Sequence, residues 1–568
     1  MKANSDKSKQ SNKATRRVLA GVLCGASVLS LVLSLVMPPI SQAIANDAEA
    51  VSTEETVMGG GSSSESAGVD NTANEDAVNQ DSDGAVADDD VQSEEQSKDE
   101  SQAEDNEAID DGAGSSAEEA VASEETATAI NNADDLQRKL LGVVENKAAS
   151  FKLSADIDYA GEITLNKNGS MITLDLNGFK ITHSGDNSNK PLFNIANNAA
   201  LTLKDSKQGS DQKQDSDGDN NGRVALMGCD SSGIPTKLTY YVTESTPNGT
   251  GTTETLYRHE VSIKGAIVGT AAGSTMKLIN VYAGGTFNLD SGVLTQKKNC
   301  NVGNLIYAEN GSTVNMSGGY VCGASSSGAG AGIMVSNANG GASTLNLTGG
   351  VIAGNYASNG GGVYANGSTI NMTGGTISGN GTFKDRSGYG AGVCAVGSTV
   401  VISGGYITNN NYQFYSDNEG STKHIGNGCH GGGGIAAFNN GSLTINGGYI
   451  TGNYSAEAGG GIYAGAWNQA LSLFSFSGGS IASNVAQNSE GGGIRIAAPT
   501  VGEFNVIGKK AYITNNTTNT PNDWGGGGVF VQGGNSAEGV NSACLKISNA
   551  LITKNSAKGY GGGFAACP

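Results

Sequence analysis

The sequence predicts an all-β chain: a parallel β-helix solenoid preceded by a capping α-helix and, before that, a disordered acidic segment. Three observations predict it. The tetrapeptide Ile-x-x-Asn recurs seven times between Ile352 and Asn555, and a Gly cluster with an apolar residue follows each copy. Residues 46–129 hold 26 of the 54 acids against one base, Lys98, and Asp47–Thr128 contain no aromatic residue. The 568 residues include 87 Gly, 8 Pro and 2 Trp, a composition suited to stacked short turns rather than one bulky core.

The elements follow in chain order. A basic region (Lys2, Lys7, Lys9, Lys13, Arg16, Arg17) leads into the apolar Val18–Met37, then Pro38-Pro39 and the small-residue site Ala43-Ile44-Ala45. That order predicts a secretory signal over residues 1–45, cleaved before Asn46, and hence a secreted or cell-surface protein. An uncleaved 20-residue anchor is the alternative, and without it the mature chain has no membrane span. Residues 46–129 repel themselves and cannot bury enough apolar surface to offset ordering entropy, so a disordered spacer is expected. The remaining 26 bases and 27 acids nearly cancel, which excludes the basic stripe that nucleic-acid binding requires.

Order begins with N-terminal cap and first coils over 130–344. Asn131–Asn146 carries Leu136, Leu140, Leu141 and Val144 at helical spacing behind Asn and Asp caps, predicting an amphipathic helix that covers the edge of the first coil. Period-two alternation in FKLSADIDY, GEITLNKN, SMITLDLNGFKIT and PLFNIANNAALTLKDS predicts strands. In Lys207–Gly222, Asp215, Asp217 and Asp219 alternate like the first half of a calcium loop. Asn220 then stands at the turn-glycine position and Leu226 at the closing-glutamate position. The expectation is a polar disordered insertion, with calcium as the alternative and no other cofactor.

Regular repeats are expected over 345–568, spaced 25, 30, 43, 31, 32 and 39 residues. Each unit offers three short strands and three turns, the geometry of one solenoid coil. Ile352 and Val363, with their equivalents, should point inward. Asn355, Asn380, Asn410, Asn453, Asn484, Asn516 and Asn555 should form an amide ladder at a turn that admits left-handed backbone.

The units VIAGNYASNGGGVYANGSTINMTGG and ITGNYSAEAGGGIYAG resemble right-handed parallel β-helix repeats of bacterial surface proteins, the pectate-lyase-like superfamily in its adhesin branch. They are also similar to the Gly-Gly-x-Ile and Phe-x-x-Asn repeats of polymorphic outer-membrane proteins, with Ile replacing Phe. The right hand of the helix is implied by this resemblance alone. The fold hosts lyases, hydrolases and non-catalytic adhesins, so function needs a site. Polygalacturonase-like members carry Asn-Thr-Asp, Asp-Asp, Gly-His-Gly and Arg-Ile-Lys stations; none is present, and Gly493-Ile494-Arg495-Ile496 lacks the lysine.

Two surfaces are candidates for binding. The residues after the inward aliphatic, Tyr364, Cys394, Ala436, Tyr463, Arg495, Phe530 and Ala565, should face out, and their aromatics could stack on sugar rings. Second, the loops after Asn380 (nine residues) and Asn410 (twenty) depart from the mostly short loops elsewhere, such as four residues after Asn355, five after Asn453 and six after Asn484. On adjacent coils they should gather Lys384, Asp385, Arg386, Tyr389, Tyr412, Phe414, Tyr415, Asp417, Glu419, His424 and His430. Asp417 and Glu419 on one loop do not supply the fixed separation that glycoside hydrolysis needs. Seven cysteines follow the signal without C-x-x-C spacing, so at least one is unpaired and a zinc site is not expected. The chain stops inside a coil without a cap or anchor, which predicts a fragment. The expected function is a non-catalytic, adhesin-like surface protein binding an extracellular glycan or protein; the alternative is a polysaccharide lyase or hydrolase.

Overall fold

A computed structural model describes residues 127–567, apart from 186–189, 217–222, 272–275, 384–386, 413, 417–421, 425–428, 506–510 and 521–524; of 414–416 and 422–424 it describes the backbone alone. The predicted signal and the acidic spacer up to residue 126 lie outside the described residues; the spacer's last residues are ordered instead, with Thr128–Ile130 a strand parallel to Phe151–Leu153. What is described is a parallel β-solenoid.

One coil illustrates the rest. Val363–Asn366 enters a 12-stranded sheet, Thr369–Met372 and Thr376–Ser378 form two limbs of a 23-stranded sheet, and Gly381–Thr382 pairs with the coil before it. The two-residue strand after the ladder Asn is an addition to the three strands expected. Stacking is parallel and in register: Val363 lies between Ile333 and Val393, and Ile377 between Ile352 and Ile407. The inward columns Ile352, Ile377, Ile407, Ile450, Ile481, Ile513 and Val363, Val393, Ile435, Ile462, Ile494, Val529 are all buried. Each such side chain removed from water contributes up to about 2 kcal/mol, and the alternation along each strand fixes which face is core.

At the asparagine corner, Oδ1 of Asn380 accepts from the backbone N–H and from Nδ2 of Asn355, both at 3.0 Å. Asn410, Asn453, Asn484, Asn516 and Asn555 repeat this toward the coil before them. Each Nδ2 also donates to the carbonyl of the preceding coil's aliphatic, as from Asn410 to Ile377 at 3.0 Å. Four polar groups are satisfied at one buried corner, which is why Asn is needed there. The left-handed backbone sits one residue earlier than the sequence predicts: φ is +64° at Gly354, +52° at Asn409 and +55° at Asn515. That turn aims the next residue, the ladder Asn, into the stack.

The helix is Ala133–Leu141, shorter than Asn131–Asn146. The Asn132 side chain accepts from the Asp135 N–H, and Gly142 ends it. Leu136 and Leu140 are fully buried against the first coil, while Leu141 is exposed because it lies one residue round the helix from that face, and Val144 is exposed because it follows the end of the helix. Asp135 binds Lys139 and Arg138, which hold its carboxyl well below the usual range.

The larger departure concerns the segment read as a polar disordered insertion. Asp211–Asp215, Leu226–Cys229, Pro235–Pro247 and Thr252–Ser262 form a four-stranded antiparallel sheet. This arm leaves the solenoid after Lys204, returns at Ala266, and lies along coils far ahead in sequence. Ser378 Oγ and Asn409 Nδ2 donate to the Tyr241 carbonyl, Thr451 Oγ1 to the Thr243 carbonyl, and Asn515 Nδ2 to Glu254 at 2.6 Å. The residues it grips are those between Ile and Asn of the repeat.

Candidate functional site

The loop patch is assembled in part. Gly388–Tyr389 runs parallel to Cys429–Gly431, so the two long loops meet on adjacent coils. Within the longer one, Phe414–Ser416 and Thr422–His424 pair as an antiparallel hairpin. Lys384, Asp385, Arg386, Asp417 and Glu419 lie outside the described residues, and of Phe414, Tyr415 and His424 only the backbone is described. Tyr389 and Tyr412 are half-buried and turned toward the protein. Tyr389 packs on His430, Phe438 and Tyr463 at ring separations of 5.1, 5.5 and 5.6 Å. Tyr412 accepts from Arg223 Nη1 at 3.2 Å and lies beside Tyr454.

The column after the inward aliphatic is aligned: Tyr364 pairs with Cys394, then Ala436, Tyr463, Arg495, Phe530 and Ala565 follow in register. Its exposure is corrected. Tyr463, Arg495 and Phe530 are 5%, 6% and 5% exposed, and Tyr364 is only partly exposed. The glycine-rich loop of the neighbouring coil lies directly on these side chains. A Cβ on Gly431 would stand 2.3 Å from the Tyr463 ring, and one on Gly330 3.0 Å from Tyr364 Cβ. The glycines therefore cover the column, and the aromatics are core rather than a platform.

Under this cover, Arg495 Nε donates to Glu490 at 2.7 Å and its guanidinium lies 4.5 Å from the Tyr463 ring centre. Burial raises the Tyr463 phenol, and Arg495 opposes it. A buried pair of this kind is costly to break and weak evidence of net stabilisation. Burial likewise pushes the Cys322 and Cys429 thiols up to about 12 and the Cys394 thiol higher still. No disulfide joins the seven described cysteines.

Asp215 ends an exposed strand of the arm, while Asp217 and Asp219 lie outside the described residues. Among the described residues no group of three or more His, Cys, Asp or Glu could hold a metal, and no helix is long and apolar enough to cross a membrane.

Sequence reasoning missed a second aromatic column, the residue before each inward aliphatic: Tyr320, Val351, Thr376, Tyr406, Tyr449, Ser480, Tyr512. The arm covers its beginning, where Tyr240 and Val242 pack with Val293, Tyr320 and Val351. Further along the arm stands off, leaving a groove of about 530 Å³ between Ser245, Pro247 and Thr252 and the coil surface at Tyr449 and Tyr512. The signals were the alternation in KLTYYVTEST and TTETLYRHEVS with Asn-Gly between them, and the Tyr-Ile dipeptides of three repeats.

No protein-family model, curated protein or solved structure matches this chain.

Proposed function

We propose that the chain is an exported, non-catalytic, adhesin-like surface protein whose solenoid displays loops that bind an extracellular glycan or protein. The observation that carries this reading is the hairpin Phe414–Ser416/Thr422–His424, built on two adjacent coils whose long loops pair at Gly388–Tyr389 and Cys429–Gly431. A solenoid base with amide ladders gives such a loop a rigid support, the usual arrangement for recognition. Export rests on the N-terminal sequence, and the right-handed pectate-lyase-like assignment on the resemblance of the repeats.

The test is to incubate the full chain with a panel of polysaccharides, with and without calcium, measuring both retention and polymer shortening. Retention without shortening, lost when residues 412–428 are replaced by a short Gly-Ser linker, is the expected result. Shortening that disappears in Asp417→Ala and Glu419→Ala would replace this reading with a lyase or hydrolase. Retention that survives the linker replacement would remove the hairpin from the binding surface.

A further inference from the structure

We propose that the groove between the arm and the coil surface at Tyr449 and Tyr512 is a binding site for a neutral oligosaccharide. It is a different surface from the displayed hairpin and stands on independent observations.

The first is shape. The floor is glycine backbone from Gly447, Gly448 and Gly479, so a flat ring can approach without meeting side chains. The cavity of about 530 Å³ lies within the range of small-ligand sites. The second is the aromatic wall. Tyr449 stacks on Tyr406 with ring centres 4.8 Å apart and planes 13° from parallel. Its ring is therefore held in place before a ligand arrives, and a sugar face packing on it loses little additional rotamer entropy.

The third is charge. Among the lining residues none is acidic or basic, and the polar groups are the hydroxyls of Ser245, Thr252, Ser403, Ser480 and the tyrosines with the Asn446 amide. Ser245, Ser480 and Thr252 are committed to bonds within the protein, so the match to the hydroxyl-rich edge of a sugar falls to the exposed Ser403 hydroxyl and the phenols of Tyr449 and Tyr512. Glu254 stands against a lining residue, accepting from Ser245 Oγ at 3.0 Å, and Glu244 raises the Tyr406 phenol, after burial, while Lys554 Nζ donates to Thr250 Oγ1 at 3.3 Å at the tip of the arm. A polyanionic chain would meet repulsion from these acids and no cation among the lining residues, whereas a neutral chain meets neither penalty.

The groove is also bridged at its rim. Ser245 Oγ and Ser480 Oγ lie 2.8 Å apart, and Thr252 Oγ1 bonds Thr514 Oγ1. These bonds fix the arm relative to the floor, so the groove is preformed.

The experiment is titration calorimetry of the full chain with neutral oligosaccharides of glucose, mannose, galactose and N-acetylglucosamine, with oligogalacturonate as the charged control. At least one neutral ligand should bind and the control should not. Tyr449→Ala should weaken that binding about tenfold, and Tyr449→Phe should retain it within about threefold. Ser403 is exposed at the groove, so Ser403→Trp fills it without disturbing the core and should block binding even if Tyr449→Ala proves unstable. A linker variant lacking residues 413–428, which keeps the contact of Tyr412 with Arg223 of the arm, should bind as the parent does. No neutral ligand binding, oligogalacturonate binding equally well, or affinity unchanged in Ser403→Trp would each overturn the inference. Loss on hairpin removal alone would overturn it while leaving the display reading intact.

Discussion

The early and late coils solve the same corner by different chemistry. Between the two limbs of the large sheet, the late coils turn on Gly-Gly: a Cβ on Gly349, Gly374 or Gly404 would sit 2.1–2.3 Å from the backbone oxygen of Ser317, Thr348 or Thr373 in the coil before. The early coils turn on a buried carboxylate. Asp175 Oδ1 accepts from Asn177 N at 2.8 Å and Ser206 N at 2.9 Å. Asp205 accepts from Gly178 N at 2.7 Å, Lys207 N at 3.0 Å and Gly265 N at 2.9 Å. A two-residue glycine corner lets backbones close up and satisfies itself; a longer corner leaves N–H groups that need an acceptor. The difference teaches what the arm requires. Lys207 lies on the connection that leads out to the arm and Gly265 on the one that leads back to Ala266, so a single carboxylate fastens both ends of a 60-residue excursion to the solenoid.

The largest expected effect breaks the early corner. Asp205→Ala leaves three N–H groups without their acceptor at a residue only 4% exposed, and should cost about 3–6 kcal/mol in urea unfolding. Asp205→Asn keeps one carbonyl oxygen and should lose about half as much. If both variants unfold at the parent midpoint, the carboxylate is not what closes this corner. The arm loosens with it, so saccharide affinity at the groove should fall in Asp205→Asn.

Next is the late corner. Gly374→Ala drives a methyl to 2.2 Å from the Thr348 carbonyl oxygen, backbone that cannot move without shifting a stacked coil, at about 3 kcal/mol. Charge plays no part here, so the loss should be insensitive to salt and pH. A loss below about 1 kcal/mol would mean that adjacent coils can separate locally, and that packing in the late region is looser than its glycine spacing implies.

The same contrast explains what was legible in the sequence. The Gly-Gly corner and the Ile-x-x-Asn corner recur because every late coil needs the same steric and amide solution, and repetition exposes both. Asp175 and Asp205 sit in unlike contexts, LDLNGF and LKDSKQ, and share a role only through hydrogen bonds from residues up to 60 positions away. The arm was hidden for a related reason: its alternation marks strands, yet nothing local says that Tyr241 and Thr243 will lie on Asn409 and Thr451. The outward column failed differently. Period two correctly separated its side chains from the inward ladder, but the backbone of the preceding coil's glycine loop, which covers Tyr463, carries no side-chain pattern to announce itself.

The smallest effect concerns a third corner, common to late coils. Ser312 N donates to Ser343 Oγ, Ser343 N to Ser368 Oγ and Ser368 N to Ser398 Oγ, at 3.3, 3.3 and 3.1 Å. Ser368→Ala removes one long hydrogen bond and the donor to the Asn366 carbonyl. The protein itself shows how much such a loss matters. One coil on, Gly441 occupies the serine position with a virtual Cβ 2.6 Å from the Ser398 oxygen, and the stack continues through Ser442 and Ser472. Close backbone approach can thus substitute for the hydroxyl. Ser368→Ala should therefore cost about 0.5–1 kcal/mol, read as a small shift in urea midpoint at unchanged slope. A cost comparable to Gly374→Ala would place this corner with the buried amide ladder, where every polar group is committed, and would make the glycine at 441 a weak point in the stack.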